Sequence, residues 1–139
     1  MRLPYKKLPL RPVPPARRSF VRRPVIPVHI LHAGRGVACE ALLDSGADFS
    51  IFHAEIADAM GLDLRKAEPV RFSGVSGSGC RGRRRNVTLE LAGHRIRCAV
   101  VFADGLNLPY AILGQAEVFR RFVITFDGKE GWVDIRPRR

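Results

Sequence analysis

Two apolar runs, Ala41-Leu42-Leu43 and Phe49-Ser50-Ile51-Phe52, flank the pentapeptide Asp44-Ser45-Gly46-Ala47-Asp48. This stretch constrains the fold more than any other. The first run reads as a buried strand that ends by delivering a carboxylate onto a tight turn. Asp, Ser and Gly each favour turn geometry, so Asp44 alone reads equally well as an ordinary turn acid. Burying an unpaired carboxylate is costly, however, so an acid at the end of an apolar strand needs partners or a function.

The rest of the chain reads as short strands joined by hairpins. Pro24 to Leu31 is apolar and β-branched, His32 to Gly36 is a turn, and Val37 to Leu43 returns to Asp44. Val87, Leu89 and Leu91 alternate with Asn86, Thr88 and Glu90, which buries one face. Ala92-Gly93 is a two-residue connection, after which Ile96, Cys98 and Val100 alternate with Arg95 and Arg97. Phe122 to Phe126, Asp127-Gly128 and Trp132 to Ile135 predict a last hairpin. His53 to Met60 favours helix, with Gly61 placed to end it at positive φ. Gln115 to Arg121 is a second helix candidate. These elements predict an all-β chain: a small closed antiparallel β-barrel with one or two short helices.

Charge divides the chain. Residues 1–24 hold eight Lys/Arg, six prolines and no acid, and so carry +8 of the net +11. Proline-rich, charged sequence packs poorly, so residues 1–23 are expected to form a flexible basic tail and residues 24–139 a single domain. The tail reads either as a solubilising arm or as a weak electrostatic contact for nucleic acid or an anionic membrane. No apolar run is long enough for a transmembrane span. Cys39, Cys80 and Cys98 are odd in number and lack metal spacing, so reduced cysteines, no metal, no cofactor and a cytoplasmic location are expected.

Three further segments stand in a meaningful order around Asp44. Met60-Gly61-Leu62 ends the first helix candidate. Phe72 to Gly82 carries glycines at 74, 77, 79 and 82. Ile112-Leu113-Gly114 precedes the second helix candidate. With Asp44-Ser45-Gly46-Ala47-Asp48, this set resembles the retropepsin-like (retroviral-type) aspartic proteases over roughly residues 25–136. The resemblance implies a barrel of the retropepsin type and an aspartic endopeptidase acting on extended polypeptides. Because the chain has one Asp-Ser-Gly loop, it implies a homodimer with Asp44 of each copy at the axis.

It also implies roles. Asp44 is half of the catalytic dyad, Ser45 bonds across the axis, and Gly46 permits close backbone approach. Ala47 and Asp48 bind substrate, together with a flap around Val75, Ser76, Gly77, Ser78 and Gly79. Ile112, Leu113 and Gly114 support the Asp44 loop from behind. Leu43, Val75, Leu108 and Ile112 are candidates for pocket walls. Ala47 offers the dyad no hydroxyl, which implies a mildly acidic optimum. Gln115 stands where the family has an arginine that pairs with its counterpart of Asp48, so Arg120 or Arg121 is the candidate substitute partner. Trp132 to Pro137 is the candidate C-terminal strand of a shared dimer sheet. The competing readings are a catalytically silent dimerisation or peptide-binding module with a basic arm, and an enzyme latent until the tail is removed.

Overall fold

The computed structural model describes residues 1–10, 19–73 and 79–139. Its strands run in chain order: β1 (Arg2–Pro4), β2 (Lys6–Pro9), β3 (Phe20–Arg23), β4 (Val25–His32), β5 (Arg35–Leu43), β6 (Ile51–His53), β7 (Glu68–Ser73), β8 (Gly79–Leu91), β9 (His94–Ala103), β10 (Ala111–Leu113), β11 (Phe122–Asp127) and β12 (Trp132–Pro137). One short α-helix, α1 (Ala54–Ala59), and one π-helical turn (Gln115–Phe119) complete the described residues. The all-β expectation with two short helical pieces is therefore met.

The main sheet has the order β4-β5-β10-β6-β9-β8-β7, and β4 pairs again with β8. That last pairing spans only His29 to Leu31, so the sheet curls back on itself over a short seam. Two pairings are parallel, a refinement of the antiparallel expectation: β10 with β5, and β6 with β9. Both involve three-residue strands, too short for their direction to be read from alternation.

The hairpins follow their turn chemistry. Ala92-Gly93 joins Leu91 to His94, with φ of 47° and 77°. Ala33-Gly34 does the same between His32 and Arg35, with φ of 48° and 78°. Both pairs have the left-handed geometry of a two-residue hairpin turn whose twist matches the strands. Alanine is strained there and asparagine is not. Ala33→Asn at this exposed turn is therefore expected to raise unfolding free energy by about 0.5–1 kcal/mol, measured by urea denaturation. Gly61 ends the first helix at φ +66°, as expected.

Inward residues of the barrel strands (Ile26, Ile30, Leu89, Val100) join Phe52, Leu113, Val118, Val133 and Ile135 in one core, each at most 1% exposed. Burying such a side chain contributes about 1.5–3 kcal/mol, which suffices to hold the short β6 and β10 at the centre of the sheet.

The flexible-tail expectation is corrected for residues 2–9 and 20–23; residues 11–18 lie outside the described residues. β1 pairs antiparallel with β12, giving a second sheet β1-β12-β11, and Leu3 and Tyr5 pack against the core. β2 and β3 pair as a two-stranded arm. The arm's cations are partly engaged. Lys6 pairs with Glu40, Lys7 sits over the Phe20 ring at 3.9 Å, and Arg23 donates to the Tyr110 hydroxyl at 2.6 Å. Prolines are tolerated because Pro4 and Pro9 close their strands and β1 is an edge strand. The strand partner of Arg2 is Asp134, far beyond the reach of any local signal.

Among the described residues, no helix is long and apolar enough to cross a membrane, and no group of His, Cys, Asp or Glu is arranged to hold a metal ion. All three cysteines are free. Burial and the neighbouring Glu40 push the Cys39 thiol up to about 11. Burial, with Glu117 adding to it, pushes Cys98 up to about 12 against the lowering effect of Arg121. Both stay protonated at neutral pH, and thiolate is the reactive form. Brief alkylation of the folded chain near neutral pH, read by peptide mass, is expected to modify Cys80 first. Cys39 and Cys98 should follow only in denaturant.

Candidate active site

Asp44 lies one residue beyond the end of β5, where the buried Leu43 gives way to exposed Ser45 and Gly46. Its backbone N–H donates to the Leu113 carbonyl at 3.0 Å, and its carbonyl accepts from the Ala47 N–H at 3.2 Å. Its Oδ1 accepts from the Gly46 N–H at 2.9 Å. The half-buried carboxylate is thus aimed by its own turn, as short Asx side chains do.

Leu113 and Gly114 stand behind this loop. The parallel pairing sets Leu113 beside Leu43 and Ile112 beside Leu42. Gly114 is required by contact rather than by backbone angle. A Cβ built there would sit 2.3 Å from the Phe49 carbonyl oxygen and 2.8 Å from that of Ala47. Gln115 then stitches the loop down. Its N–H donates to the Ala47 carbonyl at 2.8 Å and its side-chain Nε2 to the Ser45 carbonyl at 2.7 Å, while the Ala116 N–H donates to the Asp48 carbonyl at 3.1 Å.

A buried polar network beneath the loop was not anticipated. Glu117, 6% exposed, accepts from the Ser50 N–H at 2.9 Å and from its hydroxyl at 3.0 Å. The Ser50 hydroxyl oxygen in turn accepts from the Gly114 N–H at 2.9 Å. A buried carboxylate persists only with such donors. The one available signal was a serine inside an apolar strand run; its partner lies 67 residues away.

The Asp48 side chain is exposed. Among the described residues it makes no ion pair, so neither Arg120 nor Arg121 replaces the missing arginine. Both arginines are exposed and follow the π-helical turn, and the contacts to the loop come from Gln115 and Ala116 instead.

Asp44, Ala47 and Asp48 line one side of a cleft of about 810 Å³. Phe72, Ser73 and Cys80 of the β7–β8 ribbon line it too, as do Leu108 and Ile112. Leu43 is not a wall residue: its side chain is 4% exposed and turned into the core. Val75, Ser76, Gly77 and Ser78 lie outside the described residues. Gly79 is described, as the first residue of β8, paired with Ser73. One chain thus brings to the cleft the turn-held Asp44 carboxylate, exposed Asp48 beside it, Arg71 of the ribbon, and apolar side chains.

Three comparisons bear on this arrangement. A family model described as aspartyl protease matches residues 26–116. No curated protein matches the chain. Among solved structures, the chain is similar to EIAV protease complexed with an inhibitor, at 27% identity and TM-score 0.53, over 67% of this chain and 82% of that one. It is also similar to a retropepsin-like aspartic protease from Rickettsia conorii, at 16% identity and TM-score 0.62, over 97% and 88% of the two chains. A retroviral protease-like domain from Leishmania major aligns at 23% identity and TM-score 0.56, over 83% and 94%. The last two likenesses concern the fold.

Proposed function

The chain belongs to the aspartyl protease family, with a retropepsin-like fold, and on that premise we propose that it is an endopeptidase whose active site forms between two copies of itself. The observation that carries the reading is the Asp44 carboxylate, held by the Gly46 N–H at 2.9 Å and opening onto a cleft of about 810 Å³.

Peptide hydrolysis by this chemistry needs two carboxylates that share one proton. The ionised one takes a proton from water, and the protonated one donates to the carbonyl oxygen of the scissile bond. Two like charges held together resist double ionisation, so the pair titrates as a unit. One chain supplies one Asp-Ser-Gly loop. A two-fold axis beside Asp44 would supply the second carboxylate in an equivalent setting. Exposed Ser45 stands next to Asp44 and would bond to its counterpart across that axis. An extended substrate would lie in the cleft between the Asp44 loop and the β7–β8 ribbon and pair its backbone with exposed chain edges. Asp48, without an ion-pair partner among the described residues, is available to the substrate backbone.

Dilution tests the proposal. Cleavage of an unstructured polypeptide at mildly acidic pH, followed with sedimentation of the same samples, should fall faster than chain concentration as dimer gives way to monomer. Activity per chain that stays constant into the monomeric range would remove the shared site. A confirmed dimer that cuts nothing would leave a peptide-binding module as the function.

A further inference from the structure

Arg71 on β7 and Arg81 on β8 are direct cross-strand partners in the ribbon that borders the cleft. Residues opposite each other on paired strands project from the same face. Like charges set directly opposite destabilise a strand pair, which ordinarily carries opposite charges there. Both side chains are exposed, and neither makes an ion pair within the described residues. Residues 11–18 and 74–78 contain no Asp or Glu, so the chain holds no undescribed carboxylate that could pair with them.

Their arginine neighbours are committed. Arg83 donates to the Ala67 carbonyl at 2.9 Å. Arg84 lies 4.0 Å from Glu68, with its guanidinium over the Phe49 ring at 5.0 Å. Arg71 lines the Asp44 cleft, and Arg71 and Arg81 together line an adjoining cavity of about 340 Å³ between the ribbon and the start of α1. Among the described residues Asp104 is the only carboxylate on that cavity, and it makes an ion pair with neither arginine.

We propose that this arginine pair selects substrates, by binding an Asp or Glu side chain of the polypeptide where it passes from the cleft to the adjoining cavity that both arginines line. The acid lies a few residues from the scissile bond rather than beside it. Near Asp44 and Asp48 an acid would meet two carboxylates of its own sign, whereas at the ribbon it meets two guanidinium groups that can grip a carboxylate bidentately. The inference rests on the protease reading and names the substrate class of that site.

The test uses the full chain and a synthetic library of randomised peptides. Cut sites made by the wild type are sequenced, and the same library is captured on immobilised Asp44→Asn protein, which reads binding without chemistry. At one fixed position relative to the cut, Asp and Glu should be enriched about threefold or more, with the same bias among captured peptides. Raising salt from about 0.05 M to about 0.5 M should erase the bias, because exposed charges are screened. The double variant Arg71→Glu with Arg81→Glu should turn the preference toward Lys and Arg. If that variant does not fold, the salt response of the wild type decides.

Cleavage with no acid preference, or a preference unmoved by both salt and charge reversal, overturns the inference and leaves the protease reading intact. Acid-dependent capture by a chain whose wild type cuts nothing upholds acid binding by the arginine pair and overturns the protease reading. Neither capture nor cleavage overturns both.

Discussion

Asp44→Asn is expected to remove peptide cleavage while leaving the fold in place. The side chain makes one hydrogen bond among the described residues, Oδ1 accepting from the Gly46 N–H at 2.9 Å, and an asparagine Oδ1 can accept the same bond. The backbone anchor, Asp44 N–H to the Leu113 carbonyl, does not involve the side chain. Stability should therefore change by no more than about 0.5 kcal/mol. The amide can neither take a proton from water nor share one with a second carboxylate, so kcat/KM should fall by at least about 10²- to 10⁴-fold. Peptide kinetics beside a thermal melt check both halves. A second consequence follows from a shared site. Mixing wild type with excess Asp44→Asn chain should depress wild-type activity, since each mixed dimer carries one carboxylate. Activity that survives the substitution would remove Asp44 from the chemistry.

Gly114→Ala should cost both stability and activity. The atoms an alanine Cβ would strike are backbone, the carbonyls of Phe49 and Ala47, at 2.3 and 2.8 Å. Side chains can rotate away from such a contact; these carbonyls can move only with the Asp44 loop. The Gly114 N–H also donates to Ser50, which holds Glu117, so a shift there disturbs a buried carboxylate. Overpacking of this kind costs about 1–3 kcal/mol, with the higher end expected where backbone must yield. Urea denaturation measures the loss, and peptide cleavage at a temperature where the variant is folded reads the displaced loop. Gly128→Ala is the control: its added Cβ meets nothing within 4 Å and its φ is not positive, so it should be close to neutral.

Much of this molecule is legible along the chain, and for a common reason. Alternation of Val87, Leu89 and Leu91, the left-handed turn at Ala92-Gly93, the helix stop at Gly61 and the turn-forming Asp44-Ser45-Gly46 are all decided within a few residues by sterics and by which side faces water. The same local physics carried the order of motifs that marks the family.

Local physics misjudged residues 2–9 and 20–23. A proline-rich basic segment has no packing of its own, yet Leu3 finds the core because β12 offers β1 an edge. What lies far apart in sequence was decided only by the tertiary structure. It set Leu113 beside Leu43, closed Ser50 onto Glu117 and turned Gln115 back to the Ser45 carbonyl. Such contacts form only when burial of the shared core repays the entropy of closing long loops, and no short window of sequence contains both sides of that balance.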